Sequence, residues 1–124
     1  MNKLLKPILM SLRLDFLVVL ALGAMLWTGY AGPLVLVHMI LGALLVLQAW
    51  MIAAIAARAH AAPGRVLLVA VWGLIVLAVG GMQTQWLPGP LHWIIRVVHL
   101  LLGLSLVAQV EILAMKTRRA AEGG

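Results

Sequence analysis

The chain of 124 residues is 65% hydrophobic and 10% charged, contains no cysteine and has a formal net charge of +6. Soluble domains are about half apolar and about a quarter charged, so these proportions exclude an ordinary water-soluble globule, and the apolar content excludes a disordered chain. Without cysteine there is no disulfide scaffold, thiolate metal site or cysteine nucleophile. The nine Lys and Arg fall in small groups between long apolar runs, not in the basic stripe of a nucleic-acid-binding protein. What remains is an all-α integral membrane protein.

A membrane helix needs about 20 mostly apolar residues. Four stretches qualify in chain order: about 14–31 (its apolar run starting at Phe16), 34–57, 66–82 and 91–115. The first and third are short enough to begin a few residues earlier. Gly32-Pro33, Ala62-Pro63-Gly64-Arg65 and Pro88-Gly89-Pro90 separate them, and such dipeptides stop one helix or start the next. The alternating segments of a membrane barrel are missing. The pattern predicts a single four-helix transmembrane bundle over 1–124.

Cationic residues set the orientation. Lys3, Lys6 and Arg13 lie at the first helix, Arg58 and Arg65 between the second and third, and Lys116, Arg118 and Arg119 after the fourth. The other two connections lack Lys and Arg, apart from Arg96 just inside the fourth helix. Both termini are therefore expected in the cytoplasm, with the uncharged connections outside. Trp27, Tyr30, Trp86 and Trp93 cluster near the outer ends, as an interfacial aromatic belt does. The basic, then apolar, first thirty residues also resemble a signal peptide. No convincing small-x-small cleavage site precedes Gly29, so the first helix is expected to be retained.

Helices 2 and 4 align without gaps. His38-x-x-Leu41-Gly42 matches His99-x-x-Leu102-Gly103, Gln48 matches Gln109 and Arg58 matches Arg119; eight of twenty-one positions are identical. A weaker echo pairs Trp27-Thr28-Gly29 with Val79-Gly80-Gly81. The pattern reads as two tandem helical hairpins related by an axis along the membrane normal, a symmetry found in other membrane proteins. Helices 2 and 4 then run parallel, each with a histidine at a similar depth in its outer half. Two neutral imidazoles facing one another in a bundle can take both axial positions of a haem iron. Gly42 and Gly103, one turn further on, leave room for a flat macrocycle or let helices pack closely. For the glycines alone, helix packing is the favoured reading. His38 and His99 are thus the expected metal ligands, with Gly42 and Gly103 beside one b-type haem. The competing readings are hydrogen bonding between helices without metal, and a proton or substrate site.

The other polar residues are ranked around this pair. His92, seven residues before His99, shares its face nearer the outer surface. It is an alternative ligand, a propionate or quinone partner, or a belt histidine. Arg96 is expected to meet either a haem propionate or lipid phosphate. His60 is expected to be solvated. Gln48 and Gln109 point about 80° from the histidine face. Bonds between helices are favoured for them over a quinone contact. Glu111 is a proton relay or a partner of Lys116 or Arg13. Asp15 is expected to open the first helix, where a carboxylate suits the helix dipole. Further down the histidine faces come Leu45, Ala49 and Ile52, and Leu106, Val110 and Leu113. None can ligate iron, which predicts one haem toward the outer side above a dry apolar inner core.

Leu14-Asp15 opening a span, Trp27-Thr28-Gly29 ending it and His38-x-x-x-Gly42 in the next resembles the bacterial membrane cytochrome b superfamily over about residues 14–57, with an echo at 90–119. That superfamily includes four-helix haem b subunits of hydrogenases and formate dehydrogenases, and small quinone-linked cytochromes. The resemblance implies haem ligation by His38 and His99 and electron exchange with a quinone or a redox partner. The two-haem members carry inner-side histidines that this chain lacks. Two other functions compete: a small four-helix transporter, for which Asp15 and Glu111 are the candidate membrane carboxylates, and a membrane subunit without cofactor.

Overall fold

The computed structural model describes residues 3–29 and 32–123, so Tyr30 of the expected aromatic belt and the end of the first expected span lie outside the described residues. Four helices follow in order: α1 (Leu5–Trp27), α2 (Pro33–Arg58), α3 (Pro63–Met82) and α4 (His92–Gly123). Each is long and apolar enough to cross a membrane. Together they form an all-α membrane bundle. Proline opens α2 and α3 at the first helical turn, where its missing N–H is not needed. Before α2, Gly32 takes φ +76°, a left-handed conformation that glycine adopts without a Cβ clash. A short 3₁₀ turn over Gln83–Gln85 leads from α3 into the last connection.

The helix ends differ from the expected spans. α1 begins at Leu5 instead of 14, because Pro7 sits in the first turn, where it is tolerated, and long Lys and Arg side chains reach from a buried stem toward water. α4 continues past 115 to Gly123, since Ala, Lys and Arg are good helix formers whatever their polarity. Asp15 therefore does not open a helix. It lies in the middle of α1 and is buried, with 9% exposure.

Residues on α2 contact all three other helices, α3 packs on α4, and α1 meets α4 only sparsely; α1 and α3 do not touch among the described residues. The four-helix path brings the basic groups at the start of α1, at the α2–α3 turn and at the end of α4 to one end of the bundle, and leaves Arg96 near the other. Burial is uneven along the axis. On α2 the buried residues begin at Leu45 and continue through Ala49, Ile52 and Ala56. On α4, apart from Ile95, they begin at Leu106 and continue through Val110, Leu113 and Thr117. All six residues expected to form the dry core are buried, between 0% and 4% exposed. The other half, toward the α1–α2 and α3–α4 connections, is packed more loosely and holds the histidines.

Candidate functional site: a histidine pair between parallel helices

His38 and His99 meet between α2 and α4. Their ring centres are 6.3 Å apart and their planes are inclined by 71°. Two imidazoles sharing one metal from opposite sides, with metal–nitrogen bonds of about 2.0–2.1 Å, have ring centres a little over about 6 Å apart. Turning either ring about the ligand axis leaves that distance unchanged, so the inclination is compatible with it.

Helices α1 and α3 hold the rings from behind. His38 Nδ1 lies 3.1 Å from the carbonyl of Val19 on α1, so an Nδ1–H donating there leaves Nε2 as the nitrogen open to a metal, the usual arrangement of a ligating histidine. Neither Nε2 has a hydrogen-bond partner among the described residues. His99 differs in one respect: its Nδ1 is buried without a partner.

Two glycines make these ring positions possible. A Cβ on Gly23 would lie 3.2 Å from His38 Cε1, and one on Gly80 would lie 2.9 Å from His99 Cε1. Sequence reasoning missed both, although a signal was present. Residues 17–25 (LVVLALGAM) and 74–82 (LIVLAVGGM) match at six of nine positions, which aligns Gly23 with Gly80. That register replaces the expected echo of Trp27-Thr28-Gly29 in Val79-Gly80-Gly81. By contrast, a Cβ on Gly42 or Gly103 would meet nothing within 4 Å. These two glycines do not serve helix packing, the reading favoured for them alone; they border open space beside the histidines.

The remaining candidates lie apart from the pair. His92 starts α4, with Nδ1 3.2 Å from the Trp86 carbonyl, so its ring is engaged by the outer connection. Arg96 is exposed and has no hydrogen bond or ion pair among the described residues. His60 is exposed in the α2–α3 turn. Trp27, Trp86 and Trp93 are exposed near the outer end, with 43%, 37% and 56% exposure, as belt residues are. Gln48 donates to Ser11 Oγ on α1 at 2.8 Å. Gln109 departs from its expected bond between helices and donates to Ser105 Oγ, one turn away on α4, at 3.0 Å, because the i−4 hydroxyl is the nearer partner. Glu111 takes Arg13 as partner, through bonds of 2.6 and 2.8 Å that use both carboxylate oxygens. Two further polar groups escaped the sequence reading: Trp50 and Trp72 donate their indole N–H groups to the carbonyls of Ala70 and Leu102.

Fold and site together define an all-α membrane bundle in which two parallel helices present facing imidazoles. The chain matches no protein-family model, and no curated protein or solved structure is significantly similar to it.

Proposed function

We propose that the chain is a b-type haem protein of the bacterial cytoplasmic membrane, with one haem toward the outer side, ligated by His38 and His99, that exchanges electrons with a quinone or a partner redox protein. The observation that carries this reading is the 6.3 Å separation of two imidazole rings on parallel helices. A Cβ on Gly42 or Gly103, one turn from each histidine, would meet nothing within 4 Å, which supports room for a macrocycle there. A haem bound there supplies a reversible one-electron iron couple.

The chain's own residues set the terms of that chemistry. The Val19 carbonyl fixes the tautomer and direction of His38. His38 and His99 would hold the haem iron between them, and a haem held by two histidines would supply electron transfer and not oxygen or substrate binding. The apolar core beyond Leu45 and Leu106 keeps water from the inner face of the site. It also provides no second ligand pair, so the chain alone does not carry electrons across the bilayer. The basic end faces the cytoplasm by the positive-inside rule. Arg96, three residues before His99 and without a protein partner among the described residues, is available to a propionate.

The absorbance spectrum of the purified protein tests this reading. A Soret band with sharp reduced α and β bands is expected. His38→Ala or His99→Ala loses the haem or turns it high-spin, whereas His92→Ala keeps a low-spin spectrum. Normal spectra from both of the first two variants would refute the assignment. A second reading, a small transporter, draws on one observation, the burial of Asp15 in the first span. A colourless preparation that binds organic cations would favour it.

A further inference from the structure

The histidine pair does not account for Asp15. This residue is the eleventh of the twenty-three in α1, about 15 Å from the helix start at 1.5 Å per residue, and so near the middle of a helix long and apolar enough to span a membrane. Its exposure is 9%, and both carboxylate oxygens are buried without a partner among the described residues. It belongs to a stripe on α1 at four-residue spacing, Ser11, Asp15, Val19 and Gly23, which faces α2: Ser11 accepts from Gln48, Val19 accepts from His38 and Gly23 abuts the His38 ring. Gln48 is 6% exposed and its Oε1 is also buried and unpartnered. Among the described residues, this stretch of the α1–α2 seam therefore leaves three buried acceptor atoms, both Asp15 oxygens and Gln48 Oε1, without a hydrogen-bond partner.

The charged and titratable groups on the surrounding helices do not correct that imbalance. Arg13 is two residues away in sequence, but Glu111 on α4 engages it through both carboxylate oxygens. The titratable group α2 brings to this seam is His38, whose Nδ1 is committed to Val19. Glu111 is committed to Arg13, and His99 faces His38. Helix α3 does not touch α1 among the described residues.

The internal repeat sharpens the point. In the register that pairs Gly23 with Gly80, the counterpart of Asp15 is Trp72, whose indole N–H is satisfied by Leu102. One copy of the hairpin thus packs at this position without a carboxyl, so helix packing does not require one. An ionised carboxylate without a partner is strongly disfavoured in a low-dielectric interior, and in practice such a group is neutralised. A protonated carboxyl brings no charge into the seam and gains an O–H donor of its own.

We propose that Asp15 is a proton-binding site within the bilayer, a carboxyl held as the neutral acid beside Gln48 and Ser11 that takes up and releases one proton. The ligand is a proton and not a metal cation: hard cations of the calcium and magnesium type demand about six or more oxygens, whereas the side chains of this seam offer two from Asp15, one from Gln48 and one from Ser11. The inference is independent of whether a macrocycle lies between the histidines, since Asp15 is on a different helix from both.

The test uses the purified full chain in lipid bilayers. A hydrophobic carbodiimide, which reacts with protonated carboxyls, should label Asp15 at neutral pH as mapped by peptide mass. Labelling should fall about tenfold per pH unit above the titration point, sodium chloride should not protect against it, and Glu111 should stay unlabelled. The infrared spectrum should show a protonated-carboxyl carbonyl band that shifts in deuterium oxide, vanishes in Asp15→Asn and persists in Glu111→Gln. Protection by sodium at fixed pH would overturn the proposal in favour of a metal-cation site. Absence of both label and band in the wild-type chain would overturn it by showing a carboxylate that stays ionised. Neither wild-type measurement depends on a variant folding.

Discussion

A methyl group at position 80 would sit 2.9 Å from His99 Cε1, while one at position 23 would sit 3.2 Å from His38 Cε1. The first distance requires the ring to move; the second asks for a few tenths of an ångström. His38 is also tied to Val19, whereas His99 Nδ1 has no partner to resist a displacement. Forcing extra carbon into a packed position costs about 1–3 kcal/mol. Gly80→Ala should therefore weaken haem retention by about 5- to 150-fold, the same energy expressed as a ratio, and broaden the low-spin bands, with a smaller effect from Gly23→Ala. Gly42→Ala and Gly103→Ala should behave differently. Their new methyls meet nothing in the protein, and alanine favours a helix over glycine by about 0.5–1 kcal/mol. Both variants should keep or raise helical stability by circular dichroism while lowering haem content. Loss of helix without loss of haem would contradict the role given to the open space.

Between α1 and α4 the notable polar link is the Arg13–Glu111 pair, and these two helices otherwise meet only sparsely. Exposed ion pairs in water contribute little, but a pair within a spanning segment leaves a stranded charge in lipid when one member is removed. Arg13→Leu or Glu111→Leu alone should destabilise the bundle in detergent unfolding by more than the double replacement does. The coupling in that double-mutant cycle should be about 1 kcal/mol or more; additive single effects would show that the pair is incidental. The helices themselves were readable in the sequence because hydrophobic length decides whether a segment spans. Their ends were not, since Lys6, Arg13 and Arg118 lower hydropathy without breaking a helix. The histidine pair was readable because helices 2 and 4 repeat without gaps. The glycines behind it were hidden because the second hairpin is four residues longer between glycine and histidine: fifteen positions separate Gly23 from His38 and nineteen separate Gly80 from His99. A single offset fitted to helices 2 and 4 thus misaligns helices 1 and 3.

Across the whole molecule, the tightest packing and the histidine pair occupy opposite halves. The inner half holds Ile52, Leu106, Val110 and Leu113, all 0% exposed, and small residues such as Ala49, Ala56 and Ala114 let helices approach closely there. The outer half holds the histidine pair and the open space next to Gly42 and Gly103. Lipid replaces water around the bundle, so burying a leucine gains little transfer energy, and its truncation costs mainly the lost contacts and the cavity. Leu113→Ala should accordingly destabilise by about 2 kcal/mol, the lower end of the range for such truncations, and leave the haem spectrum unchanged. The same division limits cofactor number. Inner-half residues on the histidine faces, Leu45, Ala49, Ile52, Leu106, Val110 and Leu113, are aliphatic and buried, and none can ligate iron. Pyridine haemochrome analysis against protein concentration should give one haem per chain, and the ratio should survive Leu113→Ala. A reproducible value of two would mean that the inner core opens to a cofactor or that a site forms between chains, and either would return transmembrane electron transfer to consideration.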